Sequence, residues 1–540
     1  MNELFPDESF NEISREYTEF MVGGFDCTVR NHAKAIGQFL TPSEIYAPMI
    51  EGVVEYLAPN TELSVVDPFC GDGRLLCALL SSIDDAFPVI KKVKVCAWDI
   101  DSRIIVKART ELERLILDLP FEVELYVENR DAFACSDEEY GTFSVCVTNP
   151  PWSSAKSLKK DSFSNAKEYD RYQKVASAYA SRLVRKLPEA KGKSFGLGAI
   201  NLSRFGMALS LRLIEEGGCC GIVMPSSFLA DTGSALLRKK AFENNALRQV
   251  DYFPAEMRLF NEADQAGVAL VLHAEAVQGS GTVNSHMPEG VLTYDTDASF
   301  WQYSTLNAYA IPVGYSADQV NLMIKLFHNP TLDECHDIHL GREVDETRIN
   351  ERLCERSPYR FVKGFMVHGY GVSEKDKWYY DSARIPIPKS ADTEKVVWRD
   401  VSRVSQRKRV QGTLLPSGHV AGNSLGVATC NDSKKLRAFL GVLNSSTFEF
   451  MARSVLTTNH VSVGTLRRVP YPHMTDSQVD AIAGAVDELL QTPSKVSVYR
   501  KIDDLVAECY GLTKEEHKMV EPLGFWSDCP KEMVEALDDC

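Results

Sequence analysis

VVDPFCGDG, residues 65–73, is the stretch of sequence that decides the fold. An apolar strand ends at Asp67, a turn with Gly71 and Gly73 follows, and the apolar run RLLCALLSSI then starts a helix. Glycine lets the backbone approach a ligand closely, and the amino end of a helix is electropositive. The pattern therefore predicts a nucleotide-type site at the carboxyl edge of a parallel sheet. It is not the dinucleotide fingerprint, because Leu76 stands where that fingerprint has its third glycine.

Strand and helix patterns alternate around this motif. Further strands are predicted at 93–100, 123–128 and 143–148, with helical stretches between them. A helix is also predicted within 33–57, where Thr41 and Glu44 fit a capping box and Pro42 takes the first helical position. The alternation predicts an α/β, Rossmann-like domain with a mainly parallel, doubly wound sheet.

The composition is that of a globular protein, with 44% apolar and 25% charged residues among 540. No apolar run reaches the roughly 18 residues of a membrane span, and the first residues carry no signal-peptide pattern. We therefore expect a cytoplasmic protein with no membrane partner. The 14 cysteines include no CxxC pair, which favours reduced thiols and gives no reason to predict a metal site. The net charge of −16 argues against indiscriminate nucleic-acid binding and still permits a local basic face.

Acidic residues follow the second and third strand patterns. Asp99 stands 26 residues after Gly73, at a strand end where a carboxylate can accept hydrogen bonds from both hydroxyls of a ribose. Ile100 is placed to lie against an adenine ring. Asp131 suits the amino group of an adenine, and Phe133 can cover the ring. Alone, Asp99 would more often be a solvated turn residue, but together with the glycine motif it favours a nucleoside site. Asp131 and Phe133 fit a loop acid and a core aromatic equally well.

The sharpest motif is Asn149-Pro150-Pro151-Trp152, which closes the fourth strand pattern. Two consecutive prolines cannot continue a strand or start a helix freely, so they hold a rigid turn with outward carbonyls. Asn149 adds a side-chain acceptor and donor, and Trp152 adds a broad aromatic face. The set suits a planar group with an exocyclic amino group; the alternative is a rigid turn with a packing tryptophan.

The order of these elements resembles the S-adenosylmethionine-dependent DNA amino-methyltransferases of restriction-modification systems, in their gamma arrangement. The resemblance rests on QFLTP (38–42), DPFCGDG (67–73), WDID (98–101), RDAF (130–133) and NPPW (149–152), and it extends over roughly 35–525.

The resemblance implies a role for each motif residue. Thr41, Asp67, Gly71 and Gly73 would bind the methionine part of the cofactor, Asp99 its ribose, and Asp131 and Phe133 its adenine. Asn149 and Pro150 would hold the target amino group, with the target base stacked on Trp152. We choose Phe260 as the second stacking aromatic, although its spacing to the next strand is long and Phe253 competes with it.

The region after residue 300 would recognise DNA. Five of the six basic residues within 395–410 are our candidates for contacts with phosphates or guanine edges: Arg399, Arg403, Arg407, Lys408 and Arg409. The alternative for this cluster is a solvated face. A second basic window at 153–195 would either close over the DNA or form a surface insertion.

We therefore expect methyl transfer from S-adenosylmethionine to the 6-amino group of adenine within a defined sequence of double-stranded DNA, with flipping of the target base. Residues 1–275 would form the catalytic domain, 276–300 a connector, and 301–540 a mixed α+β target-recognition domain with a helical, acidic end. Within the connector, residues 278–300 also fit a hairpin region. The alternatives are another amino group (cytosine in DNA, guanine in RNA or glutamine in protein) and an inactive specificity subunit. About 30 residues precede the first motif and carry no nuclease pattern, so any restriction endonuclease would be a separate protein.

Overall fold

The computed structural model describes residues 10–23, 40–57, 61–87, 89–192, 200–260, 265–275, 279–345, 353–373, 378–403, 406–456, 459–493 and 495–524. The chain divides into two compact units, Met1–Ala317 and Asp318–Cys540. Within the described part, no helix combines the length and the apolar character needed to cross a membrane.

The first unit is built on a nine-stranded sheet in the order β3-β2-β1-β4-β5-β7-β6-β8-β9. Its strands are β1 Glu62–Asp67, β2 Lys92–Asp99, β3 Glu122–Asn129, β4 Phe143–Thr148, β5 Ile214–Pro225, β6 Ala246–Phe253, β7 Gly267–His273, β8 Thr282–Met287 and β9 Gly290–Asp295. The first five strands in this order from β3 to β5 are parallel, whereas β7 runs antiparallel to both of its neighbours. The predicted mainly parallel α/β sheet is confirmed.

Helices cover this sheet. They are α1 Phe10–Val22, α2 Ser43–Glu55, α3 Arg74–Ala86, α4 Ser102–Ile116, α5 Ala166–Lys186, α6 Leu202–Leu213, α7 Ala235–Asn244 and α8 Ala298–Leu306. Apolar side chains of α2 and α3, such as Met49 and Leu79, form one continuous core with strand residues such as Val65 and Val271. This core fixes the carboxyl ends of the central strands, where the motifs lie.

The structure decides two segments that the sequence left open. The region predicted as a connector or hairpin contains the antiparallel hairpin of β8 and β9, which extends the sheet, and the compact unit continues to residue 317. The basic window 153–195 contains the 21-residue helix α5. Most residues of its buried stripe are tyrosines and alanines, which contrast little with the polar residues around them: Tyr172, Val175, Ala176, Tyr179, Ala180 and Leu183.

The second unit is a mixed α+β structure. Its strands are β10 His339–Gly341, β11 Leu353–Cys354, β12 Arg360–Val362, β13 Val367–His368, β14 Gly371–Val372, β15 Trp378–Tyr380, β16 Lys395–Arg399, β17 Gly412–Leu415, β18 His419–Ala421 and β19 Leu425–Thr429. Its helices are α9 Ala317–Leu326, α10 Ser433–Leu443, α11 Ser446–Val455, α12 Val463–Leu466, α13 Asp476–Gln491, α14 Val496–Cys509 and α15 Lys514–Val520. Among the described residues the strands form the sheets β10-β19-β16-β17, β11-β15-β12-β18 and β13-β14.

Candidate cofactor and catalytic site

A cavity opens at the carboxyl ends of β1, β2 and β4. The chain runs from β1 outward to β2 and β3 and then returns to β4 on the other side of β1. Open α/β sheets bind ligands at such a reversal of strand order. Thr41, Asp99, Asp131, Phe133 and Asn149 all line this cavity, together with the loop after β1. The tertiary structure thus brings together motifs that are more than 100 residues apart.

The loop after β1 depends on its two glycines. Gly71 and Gly73 have φ angles of 52° and 83°, the left-handed region that favours glycine. The Gly71 N–H donates to one carboxylate oxygen of Asp99 (2.9 Å), and the Asp101 N–H donates to the other (2.8 Å). Burial raises the pKa of Asp99 to about 6, against the lowering effect of these two bonds. Asp99 therefore ties the loop to the end of β2 and still faces the cavity.

Asp67 does not face the cavity but supports the loop from behind. Its side chain is buried, and Oδ1 accepts hydrogen bonds from the Thr148 hydroxyl (2.7 Å) and the Phe69 N–H (3.0 Å). Its Oδ2 has no hydrogen-bond partner within the described residues. Burial raises the pKa of Asp67 to about 7. The side chain joins the ends of β1 and β4, so its effect on a ligand acts through the loop.

Thr41 contacts the Asn149-Pro150-Pro151-Trp152 motif directly. The Asn149 Nδ2 donates to the Thr41 hydroxyl at 2.9 Å, and Arg74 donates to the Thr41 carbonyl at 3.0 Å. The predicted capping box is therefore wrong, because the hydroxyl that would have capped α2 is the acceptor for Asn149. The helix begins at Ser43 after Pro42 and has no side-chain cap bond. With the amide nitrogen on Thr41, the carboxamide presents its oxygen as the acceptor.

Asp131 is held by three donors. Its Oδ2 accepts from the Ser14 hydroxyl (2.6 Å) and the Tyr179 hydroxyl (2.8 Å), and its Oδ1 accepts from the Phe133 N–H (3.0 Å). Burial raises its pKa, and these three bonds oppose that rise. The Phe133 ring lies 5.2 Å from the Phe69 ring, which gives the cavity an aromatic wall.

The sequence analysis missed a wall of this cavity. Tyr17, Thr18 and Met21 of α1 line it, in a segment from which we drew no prediction. A signal was present, since the buried residues Ile13, Tyr17 and Met21 recur every four positions and indicate one face of a helix.

The two aromatic residues predicted to hold a target base lie together. The ring centroids of Trp152 and Phe260 are 4.7 Å apart with an interplanar angle of 58°. The competing Phe253 instead stacks on His286 at 4.5 Å. Because the Trp152 and Phe260 rings are in contact, a base between them requires the rings to separate.

The predicted basic cluster is only partly exposed. Lys408 and Arg409 are buried, so their assignment to the DNA-binding surface is wrong. Lys408 donates to the Ser445 carbonyl (2.8 Å), burial lowers its pKa to about 8, and Arg409 donates to the Leu456 carbonyl (2.7 Å). Arg399 is half-buried, whereas Arg403 and Arg407 are exposed.

Comparisons with known proteins agree with this geometry. Residues 16–195, which are 180 of the 540, match the model of the N-6 DNA methylase family. A comparison with curated proteins gave no match. The fold resembles that of the type IIL restriction-modification enzyme MmeI in complex with DNA, with a TM-score of 0.52 and 11% identity over 97% of this chain and 77% of that chain.

A second similar structure is a nuclease-deletion mutant of the type ISP restriction-modification enzyme LlaGI in complex with a DNA substrate mimic. It has a TM-score of 0.50 and 12% identity, over 84% of this chain and 54% of that chain. The family match thus covers the part of the chain that holds the cavity motifs, and the similar structures share the α/β fold together with an additional β-containing unit.

Proposed function

We propose that this protein transfers a methyl group from S-adenosylmethionine to the 6-amino group of adenine in a specific sequence of double-stranded DNA. The observation that carries the proposal is the position of Asn149. Its carboxamide, fixed by Thr41, lines the same cavity as Asp99 and Asp131. A group that holds an amine therefore lies beside groups suited to a nucleoside. The adenine target is supported by the name of the matching family.

The cavity residues fit S-adenosylmethionine. Asp99 offers carboxylate oxygens to the ribose hydroxyls, Ile100 and Phe133 offer apolar surface to the adenine, and the loop at Gly71 permits close approach of the methionine part. When bound, this cofactor supplies an electrophilic methyl group.

The protein residues make the target amine reactive by holding it. An aromatic amine is a poor nucleophile because its lone pair is delocalised into the ring. Hydrogen bonds from its two N–H groups to the Asn149 oxygen and the Pro150 carbonyl favour a pyramidal nitrogen with a freer lone pair. The amine nitrogen would attack the methyl carbon as the bond from that carbon to the sulfonium sulfur breaks, and the methylated nitrogen would then release one proton to solvent. The step needs positioning rather than a general base. The target lies inside a duplex, so the base must be flipped out, and stacking between Trp152 and Phe260 would hold it.

Asn149→Ala tests the proposal. We expect the variant to bind S-adenosylmethionine as the wild type does and to lose nearly all methyl transfer, because only the hold on the amine is removed. Asn244→Ala is the matched control, since Asn244 is exposed at the end of α7. Retention of more than about a tenth of the wild-type rate would contradict the role of Asn149.

Mapping of modified bases tests the substrate. Expression in a methylation-free host should give N6-methyladenine in one sequence context. Methylated cytosine, or modification of RNA or protein without DNA, would support the alternative targets. An inactive specificity subunit would bind DNA without any transfer. A restriction endonuclease encoded as a separate protein is the partner that a restriction-modification role implies.

A further inference from the structure

Helix α1 contributes a wall to the cofactor cavity. Its residues Ser14, Tyr17 and Met21 are each no more than 3% exposed, and they lie on one face of the helix. Tyr17 and Met21 line the cavity together with Thr18. The helix packs on α5 through the Tyr17 and Tyr179 rings, which stack at 3.9 Å with an angle of 11°.

Two hydroxyls from these two helices determine where the Asp131 carboxylate points. Ser14 of α1 and Tyr179 of α5 both donate to Oδ2, whereas Oδ1 accepts from the backbone N–H of Phe133. The titratable or charged groups that face Asp131 are Tyr17, Tyr179 and Lys186. Burial raises the pKa of both tyrosines well above the usual value, so both remain protonated donors.

The same helix reaches the catalytic loop. The Tyr17 hydroxyl donates to the carbonyl of Ala155 at 3.0 Å, three residues after Trp152. That loop is held on its other side by α6, because Leu202 donates to the Ser153 carbonyl at 2.9 Å. One side chain of α1 thus touches the segment that follows the catalytic motif, while its neighbour Ser14 holds the cofactor side of the cavity.

We propose that α1 positions two parts of the site. Ser14, together with Tyr179 of α5, is a positioning residue that orients Asp131 for the adenosine part of the cofactor. Tyr17 is a positioning residue that orients the catalytic loop. This inference rests on the proposed function. It predicts that the two kinds of contact affect different steps, since the first acts on cofactor binding and the second acts on transfer.

The test measures S-adenosylmethionine binding by calorimetry and transfer at saturating cofactor. The double variant Ser14→Ala/Tyr179→Phe leaves Oδ2 without its two donors. We expect cofactor binding to be at least about tenfold weaker. The fall in cofactor affinity on acidification should move to higher pH, because Asp131 protonates more easily without these two donors. The turnover at saturation should stay near that of the wild type. Tyr17→Phe keeps the stacked ring and removes the hydroxyl, so it should lower turnover and leave the dissociation constant within about twofold.

The control is Ser177→Ala/Tyr169→Phe, a matched pair of changes on α5. The Ser177 hydroxyl donates to the Gln173 carbonyl of its own helix, and Tyr169 lies on the same helix as Tyr179. This control should bind cofactor as the wild type does. The single variants Ser14→Ala and Tyr179→Phe should each show an intermediate loss, which keeps the test decisive if the double variant folds poorly.

Two results would overturn the inference. If the double variant binds cofactor with wild-type affinity and pH profile while Asp99→Ala loses binding, α1 is only a structural helix and the proposed function stands. If the wild-type protein itself does not bind S-adenosylmethionine, the proposed function fails, and the inference about α1 fails with it.

Discussion

At the scale of single residues, Asp99 sets the pH range in which the proposed cofactor site works. Its pKa is raised to about 6 by burial, and only the ionised carboxylate can accept from both ribose hydroxyls. We expect cofactor affinity to be constant above about pH 7 and to fall as the pH drops through 6. Asp99→Asn should bind more weakly and lose the fall in affinity centred near pH 6, so that any remaining pH dependence belongs to other groups such as Asp131. Calorimetry at several pH values checks this, and an unchanged pH profile in the variant would assign the titration to another group.

Asp67 is expected to reduce stability at neutral pH. Its folded pKa of about 7 lies above the usual value, so ionisation costs folding free energy, and stability falls as the pH rises from about 4 through 7. Asp67→Asn removes the charge and keeps an acceptor for Thr148 and Phe69. The free energy of unfolding should rise by about 1–3 kcal/mol at pH 8 and change little at pH 4, as denaturant unfolding would measure. An equal effect at both pH values would exclude the buried charge as the cause.

At the scale of secondary-structure elements, close packing of α6 positions the catalytic loop. A Cβ atom at Gly206 would overlap with Pro150 and would come within 3.2 Å of the Phe69 ring. Gly206→Ala should therefore displace the NPPW turn and reduce turnover by about 100-fold, with a loss of about 1–3 kcal/mol in stability. Methylation rates and thermal unfolding would measure both effects.

Gly484→Ala in α13 is the control for this prediction. Apart from its chain neighbours and the backbone of its own helix, no atom of the described residues lies within 4 Å of the Cβ that it would add. The variant should stabilise its helix by up to about 1 kcal/mol and leave activity unchanged. If Gly206→Ala methylates DNA at the wild-type rate, the approach of α6 to Pro150 does not position the loop.

At the scale of the whole molecule, DNA binding must overcome a net charge of −16. Such binding depends on few local contacts and should weaken steeply with salt, by about 0.9 log units per log unit of salt for each neutralised phosphate. Arg403 and Arg407 are the exposed members of the predicted cluster. The double variant Arg403→Ala/Arg407→Ala should make the slope of log affinity against log salt concentration shallower by up to about 1.8, without a change in melting temperature.

Arg409→Ala is the contrasting variant. Its side chain donates to the Leu456 and Ser402 carbonyls inside the second unit, so its loss should lower stability by about 1–3 kcal/mol. A double variant of Arg403 and Arg407 with a wild-type salt slope would mean that this surface does not contact phosphates. A single variant that relaxes one position of the recognition sequence would instead assign that arginine to base reading.

The sequence by itself determined the parallel sheet and the position of the cofactor and catalytic motifs. Glycine at positive φ, acids at strand ends and the double proline act through local backbone chemistry, and each is readable within about ten residues. The end of β1 at Asp67 and the bounds of β4 were predicted as the structure has them, and those of β2 and β3 to within about one residue. The buried strands β1, β2 and β4 are readable because a buried strand is a short apolar run. The order of the motifs then placed them at one edge of the sheet.

The tertiary structure alone decided which partner each polar group has. Thr41 could cap its own helix or accept from Asn149, 108 positions away, and the structure shows the second. Lys408 and Arg409 belong to a charged run in the sequence but are buried by α11 and its neighbours. Ser14 and Tyr179 both donate to Asp131, from two helices that are far apart in the sequence and packed together in the fold. Such pairings depend on burial across long sequence separations, where a buried polar group takes whichever partner the packed fold offers.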